Sequence, residues 1–135
     1  MAYFLGIDIS TTGNKALLIS AQTGRVIGAA VVENPISTPR PLWSEQDPAD
    51  WWTGIQTAIR QILSETGTRA EQVIGVGLTG QMHGLVLLDA DGEVLRPSIL
   101  WNDQRTGPQC EWMTNNIGLD NLLAWTGSPA LTGFT

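Results

Sequence analysis

The chain has 135 residues, of which 42% are hydrophobic and 15% are charged, so it is predicted to fold around a core rather than to be disordered. Thirteen acidic residues against seven basic ones give a net charge of −6, which argues against nucleic acid and anionic membranes as partners. It has no long apolar run, no basic leader and a single cysteine, which predicts a soluble, cytoplasmic protein.

Three short apolar runs separated by polar turns occupy the amino-terminal part of the chain. They cover residues 3–9, 16–19 and 26–32. Runs of this kind, joined by brief turns that contain glycine, predict an antiparallel meander. Residues 34–48 contain four prolines and are predicted to form a loop.

A helix is predicted to begin directly after this loop. Asp47 is predicted to cap it, and Pro48 suits the first helical position. Apolar residues then recur every three or four positions, in a stripe that includes Trp51 and Trp52 and is predicted to face a core. Gly67 is predicted to end the helix.

The rest of the chain is predicted to contain further strands and two helices. Apolar runs predict strands over residues 73–78, 85–88 and 94–101, the first of them buried and the other two separated by a tight Asp91-Gly92 turn. Helical patterns cover residues 103–117 and 119–125. This order predicts a mixed α/β unit with at least one crossover. No closing element follows, so we expect part of a longer domain.

Residues 75–80 match the GxGxxG spacing of the dinucleotide-binding fingerprint. That fingerprint requires its glycines to leave a strand and open a helix. Here the first two glycines lie inside an apolar run, and another β-rich run follows. We therefore interpret them as glycines that permit a close approach of backbone at the end of a strand.

A polar hairpin after the first apolar run is a candidate anion site. Asp8 could hold Mg²⁺ directly or through water. The hydroxyls of Ser10, Thr11 and Thr12 could donate to phosphate oxygens, and Lys15 supplies an ammonium group. The segment lacks the GxxxxGK[ST] pattern of a P-loop, and the same residues also fit an ordinary Ser/Thr turn.

Two further polar segments follow predicted strands. Gln81, Met82 and His83 contain the only histidine, which could bind a hydroxyl-rich ligand or could simply be satisfied in a loop. The second segment places an indole beside planar polar groups, as sugar sites do, although a helix amino terminus would use the same residues. Its members are Trp101, Asn102, Asp103 and Arg105. Trp43 is a further candidate for contact with a ligand.

Four motifs in this order resemble the FGGY family of sugar kinases. They are GIDISTT at residues 6–12, LWSEQDPADWW at 42–52, GQMHG at 80–84 and ILWNDQR at 99–105. The last two are most similar to members that act on D-xylulose, and glycerol kinases carry Arg-Glu in place of Met82-His83. The resemblance implies an α/β domain of the actin-like ATPase (ribonuclease H-like) fold, with residues 1–135 forming part of the first kinase domain.

The resemblance also implies a reaction and a division of roles. ATP, with Mg²⁺, would phosphorylate a ketopentose, converting D-xylulose to D-xylulose 5-phosphate. Asp8 would hold Mg²⁺ and phosphate, and the residues near the ATP phosphates would be Ser10, Thr11, Thr12 and Lys15. The residues at the sugar would be Gln81, Met82, His83, Trp101, Asn102, Asp103 and Arg105.

In this family the general base lies well downstream, and no acid of this chain is assigned that role, so the isolated chain is expected to be inactive. Two alternatives remain open. One is a kinase of the same family for another sugar or polyol, such as ribulose or gluconate, and the other is a non-catalytic sugar-binding module. The implied partners are a small sugar and ATP, and a homodimer remains open.

Overall fold

The computed structural model describes residues 1–134 and leaves Thr135 outside them. The elements follow the chain as β1 (Tyr3–Ile9), β2 (Gly13–Ser20), β3 (Val26–Glu33), β4 (Glu45–Gln46), α1 (Pro48–Thr66), a short 3-10 helix (Ala70–Gln72), β5 (Val73–Gly80), β6 (Ser98–Ile99), α2 (Gly107–Ile117) and α3 (Leu119–Thr126). Among the described residues, no helix is both long enough and apolar enough to cross a membrane.

The backbone forms two compact units. Unit 1 combines Met1–Pro35 with Pro48–Gln81, and unit 2 combines Ile36–Asp47 with the residues from Met82 onward. The candidate hairpin and Gln81 therefore belong to unit 1, and the other predicted sugar residues belong to unit 2.

Unit 1 is built on a mixed sheet with the strand order β3-β2-β1-β5. The first three strands pair antiparallel in sequence order, and β5 pairs parallel with β1. Because parallel neighbours require a crossover, α1 connects the meander to β5. The predicted meander and the predicted crossover are both confirmed.

Helix α1 packs on one face of this sheet. Its buried side chains and those of the strands form one cluster, made of Leu5, Ala16, Leu18, Ala30, Ile55, Ala58 and Ile62. Since side chains alternate along a strand, the residues between these, such as Gly6 and Asp8, lie on the face that α1 does not cover. Trp52 is 67% exposed, so its predicted core position is wrong: it lies at the margin of the buried stripe.

The boundaries predicted for α1 are confirmed. The helix begins at Pro48, and Gly67 follows its last residue with a left-handed φ of 63°. The N–H of Thr68 donates to the carbonyl of Leu63 at 3.0 Å, and the N–H of Gly67 donates to Ser64 at 3.3 Å. This pair of hydrogen bonds is a Schellman motif, which glycine favours because its backbone adopts the left-handed region without strain.

Strand β5 forms as predicted, but its prediction as a buried strand is wrong. Ile74, Val76 and Leu78 are exposed to 60%, 62% and 74%. Within the described residues β5 is an edge strand, paired only with β1, and α1 lies over the other strands. An apolar run therefore predicted the strand and not what covers it.

The glycines of residues 75–80 lie inside β5 and do not open a helix. A Cβ at Gly80 would lie 2.9 Å from the carbonyl oxygen of Ile9 on the neighbouring strand. Close backbone approach at the end of the strand, the interpretation made from the sequence, is confirmed.

Unit 2 is less regular than predicted. Strands β4 and β6 form a two-stranded antiparallel sheet, and the run at residues 85–88 makes only isolated bridges, Leu85 to Ile99 and Leu88 to Val94. The predicted strands over residues 85–88 and 94–101 are therefore wrong as continuous strands. The Asp91-Gly92 turn is confirmed, with Gly92 at a φ of 86°.

The two helices of unit 2 surround a small core made of Cys110, Leu122 and Ala130. Helix α3 is confirmed within one residue, and α2 begins at Gly107 rather than at residue 103. The reason is that the Asp103 carboxylate accepts the N–H of Arg105 at 2.8 Å, which holds this stretch in a turn before the helix.

Candidate functional site

Asp8 lies near the carboxyl end of β1, opposite Lys15 on β2 and Thr79 on β5. Its Oδ2 is 3.9 Å from the Lys15 Nζ, and both side chains are partly exposed. Asp8 and Thr79 line a cleft of about 290 Å³ together with Gly6 and Gly77. The carboxylate is therefore open to solvent and can accept a hydrated cation.

The hairpin after β1 turns at Thr11 and Thr12. The Ser10 hydroxyl donates to the carbonyl of Gly13 at 2.8 Å, and the Thr11 hydroxyl donates to Oε1 of Gln81 at 2.9 Å. Thr12 is exposed. The structure thus brings the predicted phosphate residues together, but two of the three hydroxyls donate to acceptors within the protein.

Gln81 and Asn34 flank this hairpin. The Gln81 N–H donates to the carbonyl of Ile9 at 2.8 Å, which continues the pairing of β1 with β5. On the other side, Nδ2 of Asn34 donates to the carbonyl of Ser10 at 2.8 Å. Gln81, predicted at the sugar, therefore contacts the hairpin through both its backbone and its side chain.

Asp103 is the most buried member of an ion-pair network in unit 2 that also contains Arg105, Glu45 and Arg96. It is 1% exposed, and its carboxylate accepts the N–H of Ser44 at 2.7 Å. Arg105 donates to it from Nε at 2.9 Å and from Nη2 at 2.6 Å. Arg105 also donates to Glu45 at 2.7 Å, and Arg96 donates to the same Glu45 oxygen.

Trp43 lies beside this network. Its ring is 3.7 Å from Cζ of Arg105 and 4.9 Å from Cζ of Arg40. These are cation–π distances, so the indole packs against guanidinium groups of unit 2. The contact gives Trp43 a structural partner, and the ligand contact predicted for it from the sequence stays a prediction.

The network stabilises the charged forms of Asp103 and Arg105. Burial alone would raise the pKa of Asp103, but hydrogen bonds from Arg105 and Ser44 outweigh burial and hold this pKa below its ordinary value of 3.8. The hydrogen bond to Asp103 raises the pKa of Arg105, and Glu45 adds to that effect. Asp103 is therefore an ionised acceptor at neutral pH with its oxygens committed to donors.

His83 has a left-handed backbone, with a φ of 65°, which costs free energy for any residue with a side chain. Its ring packs against Phe134, with centroids 4.5 Å apart. The next residue back, Gly133, approaches Trp101 so closely that a Cβ there would lie 1.7 Å from the Trp101 carbonyl oxygen. The segment 133–134 thus brings His83 and Trp101 to one region of unit 2, where Met82 and Asn102 are also exposed.

Several residues at these sites, Arg96 among them, were missed by the sequence analysis. Glu45 was quoted in a motif but had no assigned role, and Asn34 and Phe134 were not singled out. Asn34 follows a strand and precedes Pro35, a pattern typical of a turn, which was the available signal. Within the described residues, no group of three or more His, Cys, Asp or Glu side chains could hold a metal ion.

Comparisons with known proteins identify the family of the chain. The model of the N-terminal domain of the FGGY family of carbohydrate kinases matches residues 3–135. The chain is 42% identical over 135 residues to the xylulose kinase of Bacillus subtilis, covering 100% of this chain and 27% of that protein. It is 40% identical over 132 residues to the xylulose kinase of Klebsiella pneumoniae, covering 98% of this chain and 26% of that protein.

A solved structure gives the same result. The crystal structure of a xyloylose kinase from Brucella ovis superimposes with a TM-score of 0.88 at 42% identity, covering 98% of this chain and 27% of that one. The chain thus spans about a quarter of the length of these relatives. The fold is the actin-like ATPase fold of these kinases, and the chain belongs to the FGGY family of carbohydrate kinases.

Proposed function

We propose that the complete protein transfers the γ-phosphoryl group of ATP to a hydroxyl of a ketopentose, D-xylulose, to give D-xylulose 5-phosphate. One observation carries the proposal: the chain matches proteins named xylulose kinase along 98–100% of its length at 40–42% identity. The exposed Met82 and His83 and the open Asp8 carboxylate support a division into a sugar part and a phosphate part.

Asp8 is proposed to serve the phosphate part. Mg²⁺ binds through one or two carboxylates and keeps several waters, and a half-exposed carboxylate beside a 290 Å³ cleft fits that requirement. Bound there, Mg²⁺ would neutralise charge on the ATP phosphates. The hydroxyls of Ser10, Thr11 and Thr12 and the Lys15 ammonium are proposed to bind phosphate oxygens, with Thr12 the most exposed of the three hydroxyls.

His83 is proposed to bind a sugar hydroxyl, with Met82, Trp101 and Asn102 in the same part of the site. Gln81, which directly precedes Met82 in the chain, is proposed to bind the sugar as well. Asp103 and Arg105 are proposed to hold the segment that carries Trp101 and Asn102 in place, because their charged groups bind one another.

The chain is proposed to be the amino-terminal part of the first kinase domain, and the complete protein to work in the cytoplasm. A phosphoryl transfer to an alcohol needs a carboxylate that accepts the hydroxyl proton. Asp103 is bound to Arg105 and Ser44 and is not available for that role. The general base is proposed to lie in a downstream segment, as the resemblance to the family implies. The isolated chain is expected to show no turnover.

The test is a coupled ADP-release assay on the protein from the complete reading frame. D-xylulose is compared with L-ribulose, gluconate and glycerol at equal concentrations, with MgATP in excess. A kcat/KM highest for D-xylulose supports the proposal. A preference for another of the four substrates keeps the kinase and overturns the substrate, and no turnover with any of them overturns the kinase.

A further inference from the structure

The hairpin that carries the proposed phosphate residues lacks the positive φ angles that usually stabilise so short a turn. Two-residue turns that match the twist of the strands require positive φ angles, for which Asn and Gly are suited. Thr11 and Thr12 form this turn, and within the described residues the only positive φ values outside glycine are those of Leu42 and His83. The turn therefore depends on neighbouring segments for its order.

Asn34, directly after β3, contacts both ends of the turn. Its side-chain Nδ2 donates to the carbonyl of Ser10 at 2.8 Å, and its backbone N–H donates to the carbonyl of Thr12 at 3.1 Å. Asn34 is buried, 7% exposed. Loss of its side chain would leave the Ser10 carbonyl without this donor at a site that water reaches poorly.

Asn14 holds the Asn34 side chain in this position. Asn14 is fully buried, and its Nδ2 donates to Oδ1 of Asn34, while Nδ2 of Asn34 lies 3.4 Å from Oδ1 of Asn14. Gly54 of α1 leaves the room for this pair, since a Cβ there would lie 2.1 Å from Nδ2 of Asn14. The two amides thus bind each other inside the core and direct one donor at the turn.

Gln81 supports the opposite side of the same hairpin. Its Oε1 accepts the Thr11 hydroxyl at 2.9 Å, and its N–H donates to the carbonyl of Ile9 at 2.8 Å. The hairpin is therefore held between the end of β3 and the end of β5. All of these supporting groups are neutral amides, so they add no charge beside Asp8.

We propose that Asn34, supported by Asn14, is a positioning residue for the ATP phosphates. It acts by ordering the hairpin and not by contact with the nucleotide, and this inference rests on the proposed kinase function. A hairpin that must be ordered each time ATP binds lowers ATP affinity, because its ordering entropy is lost on binding. Sugar affinity does not carry that cost.

The experiment uses the complete protein and the variant Asn34→Ala, with two controls. Asn116→Ala removes an exposed asparagine whose Nδ2 also donates to a carbonyl at 2.8 Å, and Ile62→Val removes one methylene from the core under α1. Steady-state kinetics give KM for MgATP and for D-xylulose, and hydrogen exchange measured by mass spectrometry gives the protection of residues 10–14.

For Asn34→Ala we expect KM for MgATP to rise about tenfold, KM for D-xylulose to stay within about twofold of the parent, and exchange at residues 10–14 to accelerate. Neither control should show this combination. An unchanged KM for MgATP, or a loss of kcat alone that Ile62→Val reproduces, overturns the inference. If the parent protein phosphorylates no sugar, the proposed function fails, and hydrogen exchange at residues 10–14 then tests the ordering role by itself. Faster exchange in Asn34→Ala and in neither control supports that role. Unchanged exchange in Asn34→Ala overturns it.

Discussion

The hairpin around Asp8 is held by neutral amides, whereas the segment around Trp101 is held by buried charges. Asn34 and Gln81 bind the hairpin through hydrogen bonds, and Asp103 and Arg105 bind each other below 3 Å. The two acids and two arginines of the second network balance in charge. These charges are therefore paired with one another inside unit 2, the unit that also contains the region proposed to bind an uncharged sugar.

This difference fits the ligand proposed for each region. A phosphate site needs its charged groups available, and Asp8 and Lys15 remain partly exposed with 3.9 Å between them. A sugar site needs fixed planar and hydroxyl-binding groups, and a buried ion pair fixes the backbone that carries them. Substitutions in each region show whether the two supports behave as differently as their chemistry implies.

The largest expected effect is that of Asp8→Asn on catalysis. We expect kcat/KM of the complete protein to fall by about 10³-fold, since the charge proposed to serve the ATP phosphates is lost. Thermal stability should change by less than about 1 kcal/mol, because an exposed pair of charges contributes little. ADP release and thermal melting are measured side by side, and a variant that keeps more than about a tenth of the activity would contradict the role of Asp8.

Asp103→Asn should instead act on stability. It leaves Arg105 partly unpaired in a buried site, so we expect the free energy of opening around β4 and β6 to fall by about 3 kcal/mol. Hydrogen exchange at the amides of Leu100 and Gln104, which donate to the carbonyls of Ser44 and Leu42, reports that opening. Glu93→Gln, an exposed acid of the same unit, is the matched control and should leave exchange unchanged.

The same network predicts a pH dependence. The pKa of Asp103 is lowered in the folded protein, so its contribution to stability is complete above the unfolded value of about 3.8 and is lost as pH falls through the lower folded pKa. The free energy of opening β4 and β6 should therefore not change with the titration of Asp103 at neutral pH. It should fall, and opening should become more frequent, below pH 3.8. In Asp103→Asn this acid-dependent step should be absent, and its persistence would assign it to another group.

Gly54→Ala is expected to have an intermediate effect on stability. It should destabilise the protein, although helix propensity alone would favour alanine. Alanine in a helix interior normally stabilises by about 1 kcal/mol relative to glycine. Here the added Cβ would meet Nδ2 of Asn14 at 2.1 Å, so we expect a net loss of about 2 kcal/mol. Thermal melting gives the sign, and stabilisation would show that the Asn14–Asn34 pair is free to move.

The smallest expected effect is that of Lys15→Gln on stability. The Lys15–Asp8 pair is partly exposed on both sides, and such pairs contribute about 0–1 kcal/mol. Melting of this variant should fall within about 0.5 kcal/mol of the parent at moderate salt. A loss comparable with that of Asp103→Asn would mean that charge also supports the hairpin region.

The sequence was sufficient where the signal is local. The stripe of α1 apart from Trp52, the glycine at its end and the short apolar runs of β1 to β3 depend on neighbouring residues, and each was confirmed. The positions of Asp8 and of the hairpin hydroxyls follow from the same pattern. The signal failed for the burial of β5, because an apolar run is the same in a covered strand and in an edge strand. It also failed for residues 85–101, which form only isolated bridges and the short strand β6.

The supports of both sites depend on contacts that no local pattern contains. Glu45 and Arg105 are separated by 60 positions, and Thr11 and Gln81 by 70. No sequence spacing predicts either contact, since each depends on which distant segments the fold brings together. His83 was recognised as a candidate, but its left-handed backbone and its contact with Phe134 required coordinates.

The central claim is that the chain carries a phosphate part at Asp8 and a sugar part at His83. Calorimetric titration of the complete protein with D-xylulose, and separately with a non-hydrolysable ATP analogue and Mg²⁺, tests it most directly with Asp8→Asn and His83→Asn. Asparagine suits position 83 because it tolerates the left-handed backbone. We predict that Asp8→Asn loses affinity for the nucleotide only and His83→Asn for the sugar only. Sugar affinity that survives His83→Asn, or nucleotide affinity that survives Asp8→Asn, would contradict the account.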